Sequence, residues 1–234
     1  MRAEHSNAPF FADRAAEVLV GEEGTTPVIE RYLAEDQAAV ARLVAGRRAL
    51  VDVGCSAGRY LDLAVTLDID YLGIDISASL VEQGRLRVAR RGVSPDRYRF
   101  AAGDAAGLPA VLAGAGLDAR LGDAIVVFGF SLLSALDDLD GVAESLRQLG
   151  APFAATLYET TPAATAMRLD YYHHCGLKPV TVERDERGVW LRTAGYRTLA
   201  PCHSYLIALF QRHGLNARIE PMSELGFVII SEET

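Results

Sequence analysis

Asp52, Gly54, Ser56 and Gly58 sit together in the stretch ALVDVGCSAGRYLDLA, from Ala49 to Ala64. The pattern reads as a strand, a glycine turn and a helix, a unit that offers backbone amides and a helix N-terminus to a ligand. As a dinucleotide loop it fits badly, because Gly-x-Gly-x-x-Gly requires glycines where Ser56 and Arg59 stand. A carboxylate beside the turn repels a pyrophosphate at low dielectric, so Asp52 points to a ligand that carries positive charge and no phosphate. Inside an apolar strand, Asp52 also needs a cationic or amide partner to offset the cost of its burial.

The composition limits the partners further. The chain has 234 residues, 50% of them hydrophobic, and 31 acids against 23 bases give a net charge of -8. That balance disfavours nucleic acid, whose binding depends on Lys and Arg neutralising phosphates. Lys178 is the only lysine, so the Gly-Lys-Ser/Thr loop of nucleotide triphosphatases cannot be written anywhere. Cys55, Cys175 and Cys202 are odd in number and widely spaced, which suggests neither disulfides nor a zinc site, and Cys55 reads as a packing residue. With no run of about 18 apolar residues, the chain is expected to be cytoplasmic and not membrane-bound.

Several elements must position these residues. Two helices are expected first, Phe10 to Leu19 and a second from Thr26 and Pro27 to about Ala45. Short apolar runs then alternate with amphipathic ones: ALVDVG, a helix near Arg59 to Leu67, YLGID, a helix from Ser77 to Arg91, RYRFAAGD, a short helix, DAIVVFGF, a helix ending near Gly150, and PFAATLY. Such alternation predicts an α/β fold with a parallel sheet covered on both faces. Later, TPAATAMRLDYYHHCG reads as a helix started by Thr161 and Pro162, followed by a hairpin turning at RDERG and a helix over CHSYLIALFQRHGL. NARIEPM and GFVIISEE are too close for a parallel crossover and should pair antiparallel. One Rossmann-like sheet of about seven strands, mostly parallel with the last reversed, accounts for the pattern.

From the loop onward the chain resembles the class I S-adenosylmethionine-dependent methyltransferases, over roughly residues 28 to 158 and more loosely to the C-terminus. S-adenosylmethionine meets the charge condition set by Asp52, having a cationic amine and sulfonium and no phosphate. In that family an acidic residue precedes a glycine-rich turn; here these are Asp52, Gly54, Ser56 and Gly58, with Ser56 replacing a frequent glycine. The resemblance implies that Asp75, ending YLGID, holds the ribose hydroxyls and that Ile76 touches adenine. Asp75 follows Gly58 at close to the roughly 20-residue spacing of such pairs. It also implies that Asp104 accepts from the adenine amino group, with Ala105 beside it, and that Phe128 and Gly129 border the sulfonium. A lone Asp at a strand end is as commonly a helix cap, and Asp104 is open to both readings.

The nucleic-acid branches of the family carry Asn-Pro-Pro-Tyr, Asp-Pro-Pro-Tyr or Pro-Cys after the fourth strand, and FGFSLLSAL has none of these; Pro201 and Cys202 read as a helix start. The expected acceptor is therefore a small molecule, methylated on O or N in specialised (secondary) metabolism, by a stand-alone enzyme or homodimer. Residues 1–47 are expected to form a helical lid, 48–234 the cofactor-binding core and 158–201 an acceptor-pocket insertion. On the 162–174 helix, Met167, Tyr171 and His174 share a stripe suited to a ring-bearing acceptor, and His173 or His174 has the intrinsic pKa of a base. Packing, or an interaction with the last carbonyls, explains those histidines equally well. Asp170 and His174 lack a third ligand, so no metal is expected. Arg184, Arg187, Arg192 and Arg197 read as a solvated hairpin face or as a grip for an acidic acceptor. Two other functions compete with methyl transfer: a nicotinamide-dependent oxidoreductase, disfavoured by Asp52, and a cofactor-binding cyclase or partner protein on the same fold.

Overall fold

The computed structural model describes residues 6–13, 19, 25–116, 123–178 and 180–232. Helices α1 (Ala8–Asp13) and α2 (Pro27–Val44) come first. α2 starts where the sequence predicts, with the Thr26 hydroxyl accepting from the Ile29 amide at 3.4 Å and Pro27 in the first turn. Of the helix expected over Phe10 to Leu19, α1 is seen to Asp13, and residues 14–18 lie outside the described residues.

The alternating part follows as β1 (Ala49–Val53), α3 (Leu61–Thr66), β2 (Asp70–Asp75), α4 (Ala78–Arg91), β3 (Tyr98–Ala102), α5 (Leu108–Gly114), β4 (Ala124–Phe128), α6 (Leu139–Leu149) and β5 (Phe153–Tyr158). After α7 (Pro162–His174) come β6 (Thr181–Asp185), β7 (Gly188–Arg192), β8 (Arg197–Pro201), α8 (His203–Arg212), β9 (Ala217–Pro221) and β10 (Gly226–Ser231). The main sheet has the order β3-β2-β1-β4-β5-β10-β9, with β10 antiparallel to both β5 and β9 and the remaining pairs parallel.

Successive residues of each central strand enter different cores. In β4, Val126 and Phe128 join the core that includes Leu146 and Phe210, while Ile125 and Val127 join the core that includes Val40 and Tyr71. This is the two-sided burial expected of a parallel sheet. Strand order reverses between β1 and β4, which opens a crevice beyond their carboxyl ends.

Two elements differ from expectation. α3 begins at Leu61 and not Arg59, because the amides of Gly58 and Arg59 both turn back onto the Cys55 carbonyl at 2.9 Å. The single-sheet expectation misses a second, antiparallel sheet of β6, β7 and β8. The hairpin at RDERG is present, with Asp185 opposite Gly188, but RTLAP adds a third strand along the other edge of β7. Val189, Leu191 and Ala200 bury there against α7, so tertiary packing and not local pattern makes β8 a strand.

Candidate functional site

A cavity of about 290 Å³ opens at the crevice, near the lower end of the roughly 300–1,000 Å³ usual for small-molecule sites. One end is polar. Asp75, at the end of β2, accepts the Ser56 amide on Oδ2 at 2.8 Å and the Ser77 amide on Oδ1 at 2.9 Å, tying the glycine turn to the neighbouring strand. Burial pushes its carboxyl pKa up, against those two amides, which pull it down. Each oxygen keeps a second lone pair, and Asp75 lines the cavity. Gly54, Ser56 and Gly58 take φ values of +67°, +53° and +97°, so Ser56 occupies a left-handed position that costs a side-chain residue about 1 kcal/mol. Gly54 and Ser56 line the cavity, whereas Gly58 packs against Phe100 and Leu61.

Ile76 also lines this end and is 39% exposed, an apolar side chain placed for a ligand to cover. Asp104 resolves its two readings by serving both: Oδ1 accepts the Ala106 amide at 3.0 Å as a cap, while Oδ2 has no protein partner among the described residues. Asp104 and Ala105 both face the cavity.

Asp52 departs from its expected place. Its side chain lies on the other face of the sheet, 1% exposed and off the cavity wall, and accepts the Tyr71 hydroxyl at 2.7 Å. Burial pushes its pKa up to about 7, although Tyr71 and the charge of Arg59 both favour ionisation. Its partners are therefore a neutral hydroxyl and the Tyr60 backbone amide, the amide partner its burial calls for, and not a ligand cation across the cavity. Phe128 is likewise fully buried and does not line the cavity, while Gly129 does. A Cβ on Gly129 would lie 2.0 Å from the Tyr60 hydroxyl oxygen, so this position admits only glycine without rearrangement.

The other end is aromatic. Phe130, Tyr158, Tyr171, Tyr172 and Tyr196 form a connected wall, with ring centroids 6.4 Å apart from Phe130 to Tyr158, 6.0 Å from Phe130 to Tyr171, 5.4 Å from Tyr171 to Tyr172 and 5.6 Å from Tyr172 to Tyr196. The N-terminal segment closes it: Phe10 stacks on Tyr196 at 4.7 Å, and the Tyr171 hydroxyl donates to the Leu19 carbonyl. Asn7, 2% exposed, clamps the segment down. Its side-chain amide donates to the carbonyls of Ala135 at 2.7 Å and Arg197 at 2.6 Å, and its oxygen accepts the Arg197 amide at 3.0 Å.

Two further residues were not anticipated. Asp36, buried on α2, accepts from the Tyr60 hydroxyl at 2.5 Å, the Phe130 amide at 3.0 Å and the Thr156 hydroxyl, fixing the loop after β4. Phe130 and Ser131 in that loop have φ of +47° and +59°, a pair of left-handed residues held by these bonds. Asp36 lies four residues beyond Tyr32 on the buried stripe of α2, a placement that marks it as a carboxylate needing partners. Arg59 lines the cavity with its guanidinium 4.4 Å from the Phe130 ring centroid.

The expected histidines are not part of this arrangement. Met167 and Tyr171 pack in the aromatic core, but His173 and His174 are exposed at the end of α7 and neither lines the cavity, because the helix turns its last residues outward. Asp170 is exposed too, and among the described residues no group of three or more His, Cys, Asp or Glu is placed to hold a metal. Arg187, Arg192 and Arg197 pair with Asp185, Glu183 and Asp137, and Arg184 reaches the Thr160 carbonyl at 3.4 Å, as fits a solvated face. No helix among the described residues is long and apolar enough to cross a membrane.

Residues 51–153 match a family model described as a methyltransferase domain. No curated protein sequence matches the chain. Among solved structures, it is similar to the PH0226 protein of Pyrococcus horikoshii OT3 at 14% identity, with a TM-score of 0.63 and coverage of 97% of this chain and 96% of that one. It is similar to magnesium protoporphyrin IX methyltransferase from Synechocystis PCC 6803, solved with S-adenosylhomocysteine, at 15% identity, TM-score 0.60, and 97% and 98% coverage. A third is the 1,6-didemethyltoxoflavin-N1-methyltransferase of Burkholderia thailandensis, at 12% identity, TM-score 0.58, and 97% and 84% coverage. Residues 51–153 thus match a methyltransferase domain, and the β3-β2-β1-β4-β5-β10-β9 sheet gives the chain the fold of these similar structures.

Proposed function

We propose that the protein transfers a methyl group from S-adenosylmethionine to an oxygen or nitrogen of a small, ring-bearing metabolite in specialised metabolism. The observation that carries this reading is one cavity with a carboxylate-bearing end at Asp75 and Asp104 and an aromatic end at Phe130 to Tyr196. Two of the similar structures are named for the methylation of magnesium protoporphyrin IX and of 1,6-didemethyltoxoflavin.

The residues present fit the cofactor. The spare lone pairs of Asp75 suit two ribose hydroxyls, the unpaired Oδ2 of Asp104 suits an exocyclic amine, and Ile76 and Ala105 offer apolar surface for a purine. Gly54, Ser56 and Gly129 border the same space with backbone. Bound S-adenosylmethionine supplies an electrophilic methyl group. The chain's part is then to hold the acceptor in line and keep water out, which the aromatic wall and the Asn7 clamp do. In this reading Asp52 supports the turn through Tyr71 without touching the cofactor, and Gly58 and Phe128 likewise act through packing. The exposed His173 and His174 take no base role. The N-terminal segment and the 158–201 insertion together build the acceptor pocket, in a cytoplasmic protein.

Calorimetric titration with S-adenosylhomocysteine and with NADH tests the cofactor. Wild type should bind the former, and Asp75→Ala should weaken it by roughly a hundredfold, since two hydrogen bonds to a charged group are lost. Preferential binding of NADH, or unchanged affinity in Asp75→Ala, would overturn the reading.

A further inference from the structure

We propose that the acceptor carries a carboxylate on or beside its ring and that Arg59 binds it. This rests on the methyltransferase reading above and adds the acceptor's charge.

Among the described residues the arginines are mostly paired: Arg87 with Asp62 at 2.8 Å, Arg97 with Asp70 at 2.9 Å, Arg147 with Glu144 at 2.6 Å and Arg212 with Asp140 at 2.7 Å. Arg59 is different. It is half-buried, lines the cavity, and among the described residues has no hydrogen-bond acceptor and no carboxylate within ion-pairing distance. Its guanidinium lies over the face of Phe130, which holds it beside the aromatic wall.

A second cation lies behind the same wall. Arg168 is fully buried, 5.4 Å from the Tyr158 ring centroid, and donates only to the carbonyls of Val189 at 3.2 Å and Thr198 at 3.1 Å, leaving Nε without a partner. The nearby acids hold other hydrogen-bond partners: Asp52, whose carboxyl feels the charge of Arg59, accepts the Tyr71 hydroxyl. Asp36 accepts from Tyr60, Phe130 and Thr156, Asp137 accepts from Asn7 and Arg197, and Asp138 caps α6 through the Gly141 amide. The Arg59 guanidinium is thus left facing the cavity without a hydrogen-bond acceptor among the described residues, and a planar carboxylate matches its fork while the attached ring fills the space between tyrosines. Since Phe130's ring neighbours are Tyr32, Tyr158 and Tyr171, Arg59 belongs to the acceptor's end. The cofactor's own carboxylate is the competing source of the same chemistry.

The test uses protein loaded with S-adenosylhomocysteine and a panel of hydroxybenzoic and aminobenzoic acids, each against its carboxamide, read by calorimetry. The best acid should bind wild type roughly thirtyfold more tightly than its amide. Arg59→Gln should abolish that preference with S-adenosylhomocysteine affinity little changed, Arg59→Lys should restore part of it, and Arg184→Gln on the hairpin should alter neither. Equal binding of acids and amides by wild type would overturn the proposal. So would an Arg59→Gln variant that loses S-adenosylhomocysteine while keeping the preference, which would assign the arginine to the cofactor. Wild type that binds no S-adenosylhomocysteine would instead remove the methyltransferase reading, and this inference with it.

Discussion

At the Asp75 end of the cavity, hydrogen bonds join neighbours in the fold's repeating strand-turn-helix units: Ser56 to Asp75, Ser77 to Asp75, Ala106 to Asp104. At the Tyr196 end they join segments from opposite ends of the chain, as Asn7 does with Ala135 and Arg197. The first end is a property of the sheet and its turns. The second exists only when α1, the loop after β4, α7 and β8 meet. One end is therefore generic to the fold, and the other is particular to this chain.

The largest effect expected from this division concerns Asp52. If it belongs to the sheet and not to the ligand, its raised pKa must appear in stability: the folded state holds a proton that the unfolded state releases near pH 4. Stability should fall as pH rises from about 4 to about 7, by up to roughly 4 kcal/mol from this group. Asp52→Asn should flatten that slope in urea titrations while leaving S-adenosylhomocysteine affinity nearly unchanged. A variant that loses the cofactor and keeps the slope would return Asp52 to the ligand's side.

Next in size is Asn7→Ala, which removes three hydrogen bonds at the aromatic end only. Acceptor KM should rise about tenfold and amide exchange in residues 6–13 should quicken, with cofactor affinity intact. If cofactor affinity falls by the same factor, the two ends are one cooperative unit and the contrast fails. The smallest effect is expected of Ser56→Gly, which relieves the left-handed φ at the turn and should raise stability by up to about 1 kcal/mol in urea. A loss of stability there would mean that the serine side chain holds the turn.

Legibility in the sequence follows the same line. The succession of strands along the chain, the reversed β10, and the helix starts at Thr26 and Thr161 all arise from residues a few positions apart, so periodicity and cap chemistry expose them. Asp75 and Asp104, which line the cavity, are visible in the sequence because each stands at or just beyond a strand end. The side on which Asp52 points is not, since its place between Val51 and Val53 shows alternation but not which face holds the ligand. β8 was missed because RTLAP is a strand only beside β7. Asn7, Arg59 and the tyrosine wall beyond Tyr171 are not legible because their meaning lies in contacts across most of the chain, and His174 stays open between a base and a packing residue because helical spacing cannot tell a cavity wall from an exposed final turn.

The clamp at Asn7 also orders events in time. It bridges residues 190 positions apart, so it carries the loop-closure penalty of nearly the whole chain and forms after the sheet, when β8 is already in place. The same contact is the first to release in local opening, because freeing residues 6–13 exposes little of either sheet core. Opening of this segment therefore uncovers the aromatic end of the cavity while the sheet and its turns stay folded.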